Sequence, residues 1–101
     1  SAVMTGPVAF VVTVGTEPTV IVDADRTREV YASVPDPQAQ FTCQTAALRW
    51  GGDDVDWASG YPLDAGAHQV VDLAGTRRVV ACVQSGTAQV NVVVVSAGRD
   101  L

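Results

Sequence analysis

Residues 8–14 read VAFVVTV, and the spacing of the bulky side chains in that stretch decides the fold class. Val8, Phe10, Val12 and Val14 recur at every second position, so an extended chain puts them all on one face, whereas a helix would scatter them around its axis. The same period returns along the chain between turn signals. Gly15 to Pro18 closes the first segment, Thr19 to Ala24 (TVIVDA) reads as a second strand, and Arg28 to Val34 as a third with Val30, Ala32 and Val34 on one side. Neither Pro35 nor Pro37 can donate a ladder hydrogen bond, so Pro35-Asp36-Pro37 predicts a firm end to that strand.

Beyond the prolines, Phe41 to Ala46 and Leu48 to Trp50 read as strands stopped by Gly51-Gly52, and Asp53 to Ala58 as a further short strand. Gly60 to Gly66 (GYPLDAG) reads as a compact loop. Strands at His68 to Leu73, Arg77 to Gln84 and Thr87 to Val95 follow, divided by Gly75 and by Ser85-Gly86. Pro37 to Ala47 is the one stretch with helical appeal, and its Thr42, Cys43 and Thr45 are weak helix formers. About eight short strands, spaced roughly 8 to 12 residues apart, predict an all-β fold: a small single-domain β-sandwich or barrel. The domain takes in residues 1–101, with 1–7 as an N-terminal arm and 96–101 as a short C-terminal tail.

Composition narrows the function. In 101 residues the chain carries 11 acidic side chains against 6 basic ones, a net charge of −5. Lys is absent and Arg77-Arg78 is the one adjacent basic pair, so the phosphate-neutralising cations that nucleic-acid binding needs are missing. The longest aliphatic run, Val92 to Val95, is far below the roughly 18 residues of a membrane-spanning helix. No nucleic acid and no membrane are expected as partners. The strands Arg77 to Gln84 and Thr87 to Val95 carry apolar residues on both faces, which a lone small sandwich has difficulty burying. A homo-oligomer, or contact with a lattice, would cover the second face.

Reactive chemistry is sparse. His68 is the single histidine, no lysine is available as a base, and neither a phosphate-binding glycine loop nor a G-x-S-x-G nucleophile motif occurs. His68 lies in HQVVDL, an alternating strand, and reads as a solvent-facing structural residue; no catalytic residue and no cofactor are expected. Cys43 and Cys82, 39 residues apart in sequence, read either as two buried thiols or as an inter-sheet bridge, with the thiols favoured. Two cysteines and one histidine without C-x-x-C spacing make no zinc site. Gly51 to Asp56 (GGDDVD) concentrates three carboxylates without the twelve-residue calcium-loop spacing, and reads as a solvated acidic turn. Trp50, Trp57 and Tyr61 flank it. They are the candidate interaction surface, either a sugar-stacking platform or an interface anchor, with plain core packing as the alternative.

Four pieces of the chain, TVIVDADRTREVYASV, LRWGG, GYPLDAG and RRVVACVQSGTAQVNVVVV, together resemble a group of small virion structural proteins of tailed bacteriophages. In that group a short strand ending near glycine leads through a polar excursion to a G-x-x-L-x-A/P-G turn, here Gly60, Leu63, Ala65 and Gly66. The Asn usual in the strand before the glycines is absent, and Gln44 and Thr45 stand in that region. The resemblance implies a β-sandwich or barrel without enzymatic activity that resides in the virion. It would act as a capsid decoration protein, with the major capsid protein or other virion proteins as partners and a trimer at a lattice three-fold as one arrangement. A head-tail or tail accessory role is the nearby alternative. The distant one is an extracellular immunoglobulin-like adhesin or carbohydrate-binding module.

Overall fold

Alternating side chains build a sheet with one wet and one dry face, and two such sheets closed on their dry faces are the simplest way to hide this many valines. The computed structural model, which describes residues 8–23, 37–73 and 78–96, has this arrangement and no helix among those residues. Its strands are β1 (Val8–Val14), β2 (Thr19–Asp23), β3 (Pro37–Cys43), β4 (Leu48–Gly51), β5 (Tyr61–Leu63), β6 (His68–Asp72), β7 (Arg78–Val83) and β8 (Ala88–Ser96). The first sheet, sheet A, has the order β1-β8-β3-β6, and sheet B the order β2-β7-β4-β5. All the pairings are antiparallel. Of the links between consecutive strands only β4 to β5 stays within one sheet; the rest cross over. Two four-stranded sheets interleaved in this way are a jelly roll.

Three elements differ from the expectation. The strand expected over Phe41 to Ala46 runs instead from Pro37 to Cys43; Pro37 is its first residue, a place where its missing N–H costs least, and the Pro37 carbonyl accepts from the Leu73 N–H at 2.9 Å. Asp53 to Ala58 is not a strand: it lies in two backbone-bonded turns and has no ladder partner. Tyr61 to Leu63, expected within a loop, pairs with β4 through Trp50↔Tyr61 and Leu48↔Leu63. The expected strand at Arg28 to Val34, the arm at 1–7 and the tail beyond residue 96 lie outside the described residues.

The glycine-bounded turn holds for two separate reasons. Gly66 has φ +83°, a region that side chains with a Cβ enter at a cost, and its N–H reaches the Cys43 carbonyl at 2.8 Å. Gly60 is needed for space: a Cβ there would sit 2.6 Å from Cβ of Arg49 and 2.7 Å from Cγ2 of Val55. Between them Leu63 is buried in the core.

Sheet register fixes what faces inward. Val14, Val90, Val92 and Val94 are fully buried, as their alternation predicts. Val8, Phe10 and Val12 face the same way but stay half-buried, because β1 is an edge strand with a neighbour on one side only. The bulkiest fully buried side chain is instead Phe41, on β3 near the middle of sheet A, with Trp50 edge-on to it at a centroid distance of 5.5 Å. Phe41→Ala is therefore expected to cost about 3–5 kcal/mol and Phe10→Ala clearly less, about 1–2 kcal/mol. Urea unfolding of the two variants checks this ordering, and a larger loss at Phe10 would move the centre of the core to the edge.

Candidate interaction surfaces

The outer face of sheet B is covered over β4 and β7 by the protein itself, while Val20 on the edge strand β2 stays exposed. On β7, Val79, Ala81 and Val83 join the inter-sheet core, whereas Val80 and Cys82 point the other way and are still buried. Over them lies the β4–β5 loop, residues 52–60. Its first turn is held by the Val55 N–H donating to the Gly52 carbonyl at 3.1 Å, and its second by the Gly60 N–H donating to Asp56 at 2.9 Å. Val55 settles against Gly51, the register partner of Val80, and Gly60. Arg49, the register partner of Cys82, fastens the far end: its guanidinium lies 4.6 Å from the centre of the Trp57 ring and donates to the Trp57 carbonyl at 2.9 Å.

The acidic residues in this loop have local work. Asp56 accepts from the Ser59 hydroxyl and the Ser59 N–H, both at 2.7 Å. Those two bonds, the hydroxyl first, hold its carboxyl below the usual carboxylate range. Asp53 reaches Arg78 at 3.6 Å across exposed surface, a pair of small energetic weight. Among the described residues no three acidic, histidine or cysteine side chains come together as a metal site.

The three aromatic residues do not form one platform. Trp50 packs against the core, with Tyr61 edge-on to it at 5.7 Å and largely exposed on β5. Trp57 lies on the opposite side of sheet B, beneath Arg49. Position along the chain brings them near, but the alternation of Arg49 and Trp50 on β4 separates them. Nε1 of Trp50 is buried and finds no hydrogen-bond partner among the described residues. The cysteines are likewise split: both are free and buried, Cys43 facing the core and Cys82 facing the loop, so their side chains cannot meet in an inter-sheet bridge. Burial first, and the Asp56 charge second, push the Cys82 thiol above its ordinary value, with Arg49 pulling the other way.

The outer face of sheet A is different. Register places Ala9, Val11 and Thr13 of β1 there, with Gln89, Asn91, Val93 and Val95 of β8. From β3 come Gln38, Gln40 and Thr42, and from β6 His68, Val70 and Asp72. Among the described residues Asp72, on the edge strand, is the only charged residue of this face. At its centre is an open depression of about 370 Å³ lined by Val11, Gln40, Thr42, His68, Asn91 and Val93 among others. His68 is exposed, and its Nδ1 accepts from Nε2 of Gln40 at 3.1 Å, a bond between two side chains of the face. Sequence reading singled out the aromatics as the candidate surface and reached this face only through the two-sided apolar strand Thr87 to Val95, because its shortage of charge appears only when four strands are laid side by side.

No family model matches the chain, and no curated protein matches it. Among solved structures it is similar to a chain from a study titled "Bacillus endospore appendages form a novel family of disulfide-linked pili". The identity is 11%, 87% of this chain and 81% of that one are covered, and the TM-score is 0.48.

If Arg49 fastens the loop over Cys82, Arg49→Ala should open that face alone. In the native wild-type protein neither thiol is expected to react readily with an aromatic disulfide reagent; in the variant one should react, identified by mass spectrometry as Cys82, with Cys43 still protected. Equal exposure of both would mean that the variant has lost the fold rather than the loop.

Proposed function

We propose that this protein is a structural module of a tailed-phage particle, a decoration protein that lays the outer face of sheet A on the outer capsid lattice and adds contacts between capsid subunits. The observation that carries the reading is the charge-depleted face itself. Protein interfaces are depleted of charge at their centres, and here four amides, two threonines and five valines or alanines replace it, in a chain otherwise rich in acid. Such a face binds by shape and many modest hydrogen bonds, which suits a repeating surface on which avidity supplies the affinity.

Three further points agree. The net charge of −5 suits the outside of a shell better than the side facing packaged DNA. Two of the sequence pieces that resemble virion proteins, LRWGG and GYPLDAG, form β4, β5 and the turn after β5, and so flank the loop that covers sheet B; sheet A is the face with room for a partner. Jelly rolls recur in viral capsid domains, a fold-level analogy that raises the expectation without fixing the function. The adhesin and carbohydrate-binding readings gain nothing from the geometry, since the thiols face apart and the aromatic side chains lie on opposite sides of a sheet.

The test is to mix purified protein with particles that lack it. Wild-type protein should bind at a fixed stoichiometry. Asn91→Glu, an exposed change at the centre of sheet A, should weaken binding about tenfold or more, equivalent to about 1.4 kcal/mol. Asp54→Asn, on the loop over sheet B, should bind as wild type does. A protein that never joins particles, or one indifferent to Asn91→Glu, contradicts the proposal.

A further inference from the structure

Each of the two sheets ends in two edge strands, and the four edges are not equally guarded. An edge presents unpaired N–H and C=O groups along its free side, and natural proteins blunt it with charge, proline, a bulge or brevity. The edge strand β2 is broken by a register shift between Val20 and Val22 and ends on Asp23. On the other side of sheet B, β5 is three residues long with Pro62 at its centre. The edge strand β6 carries Asp72 and His68. Among the described residues β1 alone has none of these devices: seven residues, VAFVVTV, in unbroken register with β8 from Val8↔Val94 to Val14↔Ala88, with no charge and no proline. Val11 at its midpoint is 57% exposed.

We propose that β1 pairs with β1 of a second copy of this chain, joining two sheets A into one continuous antiparallel sheet across a two-fold axis at Val11. The choice of a second copy rests on self-complementarity. Antiparallel neighbours share a face only if inward residues meet inward ones, so the pairing must match even-numbered positions with even-numbered ones. Among such registers, the one centred on Val11 leaves no residue of β1 unpaired: Val8 meets Val14, Ala9 meets Thr13, Phe10 meets Val12 and Val11 meets itself. The half-buried row Val8, Phe10 and Val12 then runs into its own copy, which completes the burial that an edge position denies it. Charge points the same way. Two copies at −5 each repel, and an uncharged edge is where they approach at least cost. An isologous edge closes at two copies, so the unit built in this way is a dimer rather than a trimer. This pairing is independent of what sheet A binds.

The experiment uses the purified full chain with no particle present, so its outcome is separate from that of the decoration assay. Light scattering across a concentration series should show a monomer–dimer equilibrium for wild type, with the dimer favoured by added salt. Val11→Glu places two like charges at the axis on an already exposed position, and should shift the midpoint at least tenfold towards monomer with an unchanged circular dichroism spectrum. Cysteine substitutions read the register. Val11→Cys should form a disulfide-linked dimer on mild oxidation, since facing residues bring Cβ atoms within bonding reach. Ala9→Cys and Thr13→Cys should each stay uncrosslinked alone, their copies lying roughly 13 Å apart along the strand, and should crosslink when mixed. A wild-type protein that is monomeric throughout, or a Val11→Cys variant that crosslinks no faster than Thr13→Cys alone, overturns the proposal.

Discussion

The strand β7 has to be dry on both faces, and much of the rest of the structure answers that demand. It runs RVVACV between β2 and β4 at the centre of sheet B, with every residue from Val79 to Val83 buried. One face is satisfied by the sandwich core. The other requires a cover, and the β4–β5 loop is shaped to supply it. Val55 provides the apolar contact, Gly60 gives up its side chain so that the loop can come close, and Asp56 with Ser59 fixes the turn. Arg49 then ties the loop to the sheet beneath it through its guanidinium. Backbone, packing and charge agree on one conformation here, which is what makes nine residues without ladder pairing hold a definite shape.

Closing sheet B in this way divides the molecule into unlike halves. The loop carries most of the local charge, Asp53, Asp54 and Asp56 together with Arg49 and Arg78 beside it, and the surface it creates is wet and acidic. Sheet A receives no such cover among the described residues. Its outer face is left with amides, hydroxyls and valines, a depression at the centre and an unguarded strand at one side. These properties suit broad, shallow contact with other protein surfaces. The proposed decoration role and the proposed strand pairing draw on different parts of this half, the face and the edge, and a dimer joined along β1 would present two such faces side by side.

Much of the fold was legible in the sequence. The period-two alternation of Val8 to Val14 and the glycine and proline punctuation located most strands, because those signals are local. Where reading failed, a non-local term decided. Tyr61 to Leu63 is too short to announce itself and becomes a strand only because β4 lies alongside; the strand expected from Phe41 begins already at Pro37, where pairing with β6 and β8 extends it. The apolar residues on both sides of β7 suggested a partner subunit, yet the cover comes from the chain's own loop, whose single buried valine among aspartates gave little warning of that task. The candidate site was less legible. Trp50, Trp57 and Tyr61 are close in sequence but strand geometry sends them to different faces, whereas the outer face of sheet A is assembled from residues as far apart as Ala9 and Val95.

On the proposed decoration role, the division into a covered half and an open half sets how the protein would sit on a particle. A cryo-electron microscopy map of decorated capsids, at a resolution that separates the two sheets, should show the outer face of sheet A against the shell and the loop at 52–60 turned to solvent. The reverse orientation, with that loop wedged against the capsid and sheet A facing outward, would contradict the account.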